Sequence, residues 1–144
     1  MSNKQPTKQQ KRVPDGYYRW KNGDGSLGGL VAENAEIHPS VHIPWTSIVH
    51  QHAVIDIGAI IKDSVKIGRH SYIGVCVILG NDVSVGKHVV IDSNTNIMHD
   101  TQIGDHVGIG AFCTIGKDKE IAPHTCIPDR TFDVDHISPP TPSM

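Results

Sequence analysis

The sequence is poor in aromatic residues and in cysteine, and it has no long hydrophobic run. Aromatic residues make up only 5% of its 144 residues, so a core would have to be thin and built from Ile and Val. The three cysteines Cys76, Cys113 and Cys126 form no CxxC pair, which excludes a disulfide scaffold and suits a reducing compartment. No stretch reaches membrane-spanning length and no signal-peptide core is present, so we expect a cytoplasmic protein without a membrane partner.

The formal charge of -2 conceals a basic start. Residues 1–12 contain four basic residues and no acid: Lys4, Lys8, Lys11 and Arg12. A basic, Gln-rich segment of this kind is typical of a disordered tail. Four charges without an aromatic residue are a weak nucleic-acid footprint, so contact with nucleic acid or an anionic surface is the less favoured alternative.

One position in six is aliphatic throughout most of the chain. Seventeen consecutive hexads share it without insertion or deletion: Val31, Ile37, Ile43, Val49, Ile55, Ile61, Ile67, Ile73, Leu79, Val85, Ile91, Ile97, Ile103, Ile109, Ile115, Ile121 and Ile127. The fifth position is small or branched, the second is often Gly, and the fourth is typically Asn, Ser, His, Gly or Asp. The second and fourth positions therefore hold types that tolerate a turn or a positive φ angle. Such a short fixed period predicts a solenoid of short strands.

The pattern [Ile/Val/Leu]-Gly-x-x-small-x resembles the hexapeptide-repeat family over about two-thirds of the chain. The resemblance implies an all-β fold, a left-handed parallel β-helix of about five to six coils with eighteen residues per coil. Its handedness is an exception to the right-handed crossover rule and is taken from the family. We expect a disordered basic tail over residues 1–13, an irregular or hairpin cap over 14–30, the β-helix over 31–130 and an extended Pro-rich arm over 131–144.

An eighteen-residue coil places residues eighteen apart above one another, and one such column consists of histidines: His52, His70, His88, His106 and His124. Because all occupy the fourth hexad position, a corner role explains them, whereas metal binding and pH sensing are alternatives. The γ-class carbonic anhydrases, which resemble this fold, hold zinc between subunits with such histidines. Only part of their triad is matched here, by His70 with His106 or by His88 with His124.

His99 lies outside this column of histidines, which we call the histidine ladder, and is followed by the acidic residue Asp100. The segment from Asn94 to Asp105 resembles the catalytic stretch of hexapeptide-repeat acetyltransferases that modify amino sugars and sialic acids. The resemblance implies that His99 is a general base oriented by Asp100, with acetyl-CoA as co-substrate and a small-molecule amine or hydroxyl as acceptor. The column of His99 supplies the candidate substrate-binding residues Asn81 and Lys117, and the adjacent column supplies Asp82 together with Asp100 and Asp118.

Two further interpretations stay open. The lead-in from Gly25 to Val31 resembles that of small hexapeptide-like proteins of phages and mobile elements, which indicates a non-catalytic trimeric structural or binding module. A zinc site on the ladder is the other, although no metal is expected for an acetyltransferase. The family resemblance implies a homotrimer both for the acetyltransferase and for the non-catalytic module.

Overall fold

The computed structural model describes residues 13–134 as a three-sided parallel β-helix. The predicted tail over residues 1–13, apart from its last residue, and the predicted arm over 131–144, beyond residue 134, lie outside the described residues. Within the described part of the chain no helix is long and apolar enough to cross a membrane.

Eighteen short strands form three sheets, which we call faces A, B and C. Face A contains β1 (Tyr17–Lys21), β2 (Leu27–Ala32), β4 (Ile48–Val49), β7 (Lys66–Ile67), β10 (Ser84–Val85), β13 (Gln102–Ile103) and β16 (Glu120–Ile121). Face B contains β3 (Glu36–Ile37), β5 (Val54–Ile55), β8 (Tyr72–Ile73), β11 (Val90–Ile91), β14 (Gly108–Ile109) and β17 (Cys126–Ile127). Face C contains β6 (Ile60–Ile61), β9 (Ile78–Leu79), β12 (Asn96–Ile97), β15 (Thr114–Ile115) and β18 (Phe132–Val134).

The register of the parallel strands is eighteen residues up to β17, and a register shift in β18 pairs Ile115 with Val134. Ile48 pairs with Lys66, Ser84 with Gln102, and Asn96 with Thr114. Coils therefore rise by one strand spacing, about 4.8 Å. The predicted left-handed β-helix is confirmed, and sixteen of the seventeen aliphatic positions fall in strands.

The core is a column of branched aliphatic side chains with hydroxyls at its corners. The first hexad position is fully buried in most coils, as at Ile67, Leu79 and Ile97. Buried hydroxyls at the fifth position bond to backbone carbonyls, as Thr95 Oγ1 does to Gly110 O at 2.7 Å. No buried side-chain N or O in the described residues lacks a partner, so the narrow core carries no polar penalty.

The positive φ angles at the fourth hexad position and the glycines at the second position have different physical causes. From His52 to Arg130 every fourth hexad position lies in the left-handed region: thirteen non-glycine residues have φ of 56 to 66°, and Gly58 has φ 79°. The expectation of positive φ was right for this position but wrong for the second position, whose glycines do not adopt it. Second-position glycines are instead needed because neighbouring coils approach closely, as described below for Gly80.

A β-hairpin closes the lower end of the prism. β1 pairs antiparallel with β2 and directs the buried Trp20 beneath the first coil, where Trp20 Nε1 donates to Val41 O at 2.9 Å. The Asn22 side chain accepts from Ile43 N at 2.8 Å and donates to Ile43 O at 3.3 Å. Asn22 thus takes the place of a strand partner for the one aliphatic position that is not in a strand.

Candidate active site

The candidate site lies on the edge between faces C and A. Backbone hydrogen bonds stack its columns: Asp100 N donates to Asn81 O at 2.9 Å, and Asp118 N donates to His99 O at 3.0 Å. The Asn81 side chain accepts from Asp63 N at 3.0 Å, one coil below. The structure therefore brings Asn81, His99 and Lys117 into one column.

His99 and Asp100 form a side-chain pair at this edge. His99 Nδ1 lies 2.7 Å from Asp100 Oδ2, and the two side chains are 47% and 50% exposed. Neighbouring side chains in a strand point to opposite faces, but Asp100 has φ 60° and turns the chain at the corner. The corner therefore holds both groups on the solvent side, and the carboxylate accepts from Nδ1–H and leaves Nε2 open.

A second carboxylate completes the cluster. One ring nitrogen of His99 and one carboxylate oxygen each of Asp100 and Asp118, the atoms that could bind a metal ion, lie within 4.8 Å of one another, and all three residues are exposed. The eighteen-residue spacing had placed both Asp82 and Asp118 in the column of Asp100, but the sequence interpretation gave a substrate-binding role to Asp82 alone. Asn81, Asp82 and Lys117 are all exposed along the same edge.

Gly80 sets how closely the coil beneath His99 can approach. A Cβ at Gly80 would lie 2.8 Å from His99 N and 3.2 Å from its Cα, closer than side chains normally pack. The absence of a side chain here lets the His99 backbone rest directly on the coil below. Gly80 is a positioning residue that the sequence pattern indicated only as a turn type.

Face C, beside His99, differs from the other faces in charge. Its outward positions include the exposed apolar residues Ile60, Met98 and Phe132, at 47, 39 and 63% exposure, and the exposed Lys62. No acid occurs at the outward positions of face C between residues 42 and 116, which are His42, Pro44, Ile60, Lys62, Ile78, Gly80, Asn96, Met98, Thr114 and Gly116, whereas the last strand, β18, contains Asp133. Face B carries three acids, Glu36, Asp56 and Asp92, and face A carries Glu120. The edge of His99 thus borders a face whose exposed side chains are largely apolar.

The histidine ladder lies on a different edge, between faces A and B. Its rings stack with centroids 4.8 to 5.0 Å apart and interplanar angles of 2 to 12°, and all five residues have positive φ. Imidazole binds a metal ion in the plane of its ring, and parallel stacked planes do not meet at one ion. The arrangement places His70, His88, His106 and His124 as corner residues and offers no shared metal position within this chain.

Comparisons with known proteins agree with the fold. The family model described as bacterial transferase hexapeptide (six repeats) matches residues 82–117, which include His99. Among solved structures the chain is similar to serine acetyltransferase isoform 3 from Entamoeba histolytica, determined in complex with cysteine, with 25% identity and a TM-score of 0.54. That match covers 76% of this chain and 38% of the other.

A second solved structure is the acetyltransferase domain of PglB from Neisseria gonorrhoeae, with 21% identity, a TM-score of 0.45 and coverage of 76% of this chain and 50% of that one. No curated protein matches the chain. The chain spans half or less of the length of both structures. The eighteen-residue register, the family match over residues 82–117 and the similarity to the serine acetyltransferase structure together show a left-handed β-helix of hexapeptide repeats, similar in fold to that acetyltransferase.

Proposed function

We propose that this chain is an acyltransferase that moves an acetyl group from acetyl-CoA to an amine or a hydroxyl, with His99 as general base. The observation that carries the proposal is the 2.7 Å contact between His99 Nδ1 and Asp100 Oδ2 at an exposed edge. A carboxylate in that place fixes the tautomer of the imidazole and stabilises its protonated form. The similarity to a serine acetyltransferase supports the reaction class.

The reaction needs one proton acceptor and one thioester. His99 Nε2 takes the proton of the acceptor N–H or O–H as the acceptor nitrogen or oxygen attacks the thioester carbonyl carbon. Collapse of the tetrahedral intermediate breaks the C–S bond, and the proton held by His99 passes to the departing CoA thiolate. The acetyl group ends on the acceptor and free CoA thiol is released. Asn81, Asp82 and Lys117 would contact the acceptor from the same edge.

We also propose that the active assembly is a homotrimer. Face C exposes Ile60, Met98 and Phe132 beside the His99 edge, and a neighbouring subunit would cover this apolar surface. A cleft between two prisms would exclude water from the thioester, which the open edge of one chain does not. Acetyl-CoA would be the co-substrate, and no metal takes part in this mechanism.

The proposal is tested by removing the imidazole. His99→Ala should lower acetyl transfer by about 10²- to 10⁴-fold, the contribution typical of a positioned general base. Transfer is followed as release of CoA thiol from acetyl-CoA over a panel of amino sugars and amino acids. His88→Asn is the matched control, because Asn tolerates the corner geometry of that ladder residue.

Two results would contradict the proposal. One is undiminished transfer by His99→Ala with an unchanged melting temperature and oligomeric state. The other is the absence of any rise in melting temperature when the wild-type protein is mixed with millimolar acetyl-CoA, since a ligand of the native state must stabilise it. The second result would favour the non-catalytic module.

A further inference from the structure

The edge between faces A and B carries a strip of positive charge that the proposed reaction does not use. We call it the ladder edge; it consists of the third and fourth hexad positions from Glu33 to His124 and contains the histidine ladder. Arg69 and Lys87 lie in the column beside the ladder, and Lys66 lies next to them on face A. All three are exposed, and none of them is in an ion pair within the described residues.

Acids lie at the two ends of this strip and do not interrupt it. The acids on the described part of the ladder edge are Glu33, one coil below Gln51, and Asp105, one coil above Lys87. Asp105 Oδ1 accepts from Lys87 N at 2.8 Å, so this carboxylate is partly occupied by the backbone. The three coils between the two acids therefore present only cations, imidazoles and one amide along this edge.

The flanking faces bring few opposing charges to the ladder. Face A adds His50 and Lys66 next to it and has one acid, Glu120, beside the last coil. The positions of face B next to the ladder add one acid, Glu36, beside the first coil, and the uncharged side chains of Tyr72 and Cys126. The middle of the ladder is thus surrounded by positive charge, although the chain as a whole has a formal charge of -2.

The ladder itself is a row of hydrogen-bond donors that face solvent. All five rings are exposed, and successive ring centroids lie 4.8 to 5.0 Å apart. His52 Nε2 lies 3.2 Å from Asn34 Nδ2, whereas the ring nitrogens of the four rings above it have no hydrogen-bond partner within residues 13–134. A neutral imidazole has one N–H and a protonated one has two. The same donor is therefore repeated along about 19 Å.

The geometry of the strip indicates which kind of polyanion it fits. Stacked rings present their edges to solvent, so a nucleic-acid base has no ring face to stack on. The aromatic residue next to the strip, Tyr72, donates its hydroxyl to Asp56 Oδ2 at 2.8 Å and is held on face B. The strip therefore offers charge and N–H donors without a platform for bases. In a three-sided prism this edge is opposite face C, so the trimer proposed above leaves it open.

We propose that the ladder edge binds a linear phosphate polymer, with Arg69 and Lys87 as contacts at every pH and the protonated ladder rings as further contacts in mild acid. Guanidinium and ammonium groups form charge-assisted hydrogen bonds with phosphate. Arg69 Nε donates to Gln51 Oε1 at 3.1 Å, which holds the guanidinium along the edge. Protonated neighbouring rings repel one another, and bound phosphates offset that repulsion. Binding therefore takes up protons, and it does not depend on acetyl transfer.

Calorimetric titration of the full chain with sodium polyphosphate at about pH 5.5 and about pH 8, on either side of the histidine pKa, tests the proposal. The wild type should bind about tenfold more tightly at the lower pH. Its affinity should also depend more steeply on salt there, because more cations contact phosphate. Titrations in two buffers of different ionisation enthalpy should show proton uptake on binding.

Two sets of substitutions separate the permanent contacts from the acid-dependent ones. The triple variant His70→Asn, His88→Asn and His106→Asn should lose the gain in mild acid and keep the affinity at about pH 8, since Asn tolerates positive φ. Lys87→Gln should weaken binding about threefold at both pH values, as for an exposed charge contact. Lys62→Gln and His42→Asn, which change exposed residues of face C, are the matched controls and should change neither affinity.

Several results would overturn the proposal. The ladder has no role if the wild type binds polyphosphate equally well at both pH values, or if the folded triple variant keeps the gain in acid. Should the triple variant fail to fold, His88→Asn alone should lose part of the gain, and a full gain in that variant has the same meaning. Absence of binding in mild acid refutes the site as a whole. Tighter binding of single-stranded oligothymidylate of equal charge would show that bases are recognised and that the partner class is wrong.

Discussion

At the scale of single residues, the corner at Phe112 shows the conflict between side chain and backbone most clearly. Phe112 has φ 59° and is 47% exposed, with Arg130 lying 5.3 Å from its ring centroid as its only described ring partner. A residue with a Cβ in the left-handed region is disfavoured by about 1 kcal/mol, whereas glycine is not. Phe112→Gly should therefore be more stable than Phe112→Ala by about 1 kcal/mol in chemical denaturation, the reverse of the usual order.

Val90 provides the control for this comparison. It is 48% exposed, lies in β11 and does not have positive φ. Val90→Ala should therefore be more stable than Val90→Gly, by about 0.5 to 1 kcal/mol. If the alanine variant is the more stable one at both positions, residue 112 does not adopt the left-handed conformation.

The residue types predicted the corners only partly. Histidine, asparagine and aspartate at the fourth position indicated positive φ, but Cys76, Phe112 and Arg130 adopt it as well. The register imposes the turn on whatever residue falls there, so residue preference alone could not identify these three. In the same way, the sequence placed Asp100 beside His99, but only the corner geometry turns both side chains to one side.

At the scale of the coil, close contact between successive turns makes Gly80 the most sensitive glycine near the site. Gly80→Ala would place a Cβ 2.8 Å from His99 N, a backbone atom that cannot rotate away. We expect a loss of about 1 to 3 kcal/mol in the free energy of unfolding, as for other overpacked positions. Acetyl transfer should also fall, because the displaced His99 backbone carries the proposed base.

Gly108→Ala is the matched change without a contact. A Cβ at Gly108 would meet nothing within 4 Å, and its φ is not positive. This variant should be neutral or slightly more stable in thermal unfolding, because alanine restricts the unfolded chain. Equal destabilisation by the two substitutions would show that loss of glycine flexibility, and not contact between coils, is responsible.

The first coil shows where the repeat pattern stopped predicting strands. Ile43 keeps the aliphatic period and is fully buried, yet no strand forms around it. Pro44 follows Ile43 directly and lacks the N–H group that the same position donates in other coils, as Lys62 N does to Leu79 O. The hairpin supplies Asn22 as the replacement partner, and a cap outside the repeat could not be paired with Ile43 from the period.

At the scale of the whole molecule, the histidine ladder stacks along one edge of the coils, and the lowered pKa of His70 within it predicts that stability depends on pH. Partial desolvation lowers the pKa of His70, and the neighbouring charges of His52, His88 and Arg69 lower it further. Burial likewise lowers the pKa of His50, with contributions from Arg69 and Lys66. Protonation of His70 and of His50 is therefore less favourable in the folded chain than in the unfolded one.

The sign of the pH effect follows from these shifts. Below the unfolded histidine pKa of about 6.5 the unfolded chain binds protons first, so the free energy of unfolding falls with the pH until the lowered folded-state pKa is passed. His70→Asn should show a smaller loss of stability between pH 7 and pH 5 than the wild type in urea titrations. His42→Asn removes an exposed imidazole outside the ladder. The same flattening in both variants would contradict a role for the stack.

The sequence predicted which residues stack above one another, because no residue is inserted between the hexads. It did not predict the contacts of the N-terminal hairpin. His99, Asn81 and Lys117 stack as the eighteen-residue spacing requires. Arg19, by contrast, reaches Trp45 from a hairpin that has no period, so its contact has no signal in the repeats. The parts of the molecule outside the repetition are therefore where the sequence alone was least informative.

The uninterrupted register also limits how the gene for such a chain can change. Gain or loss of a single codon within a face would exchange inside and outside for every later side chain of that strand. Duplication of eighteen codons would instead add one complete coil and would keep the residues of the other coils stacked as before. Proteins descended from such an ancestor should therefore differ in the length of the β-helix by whole coils. Other insertions should form loops at the exposed corners.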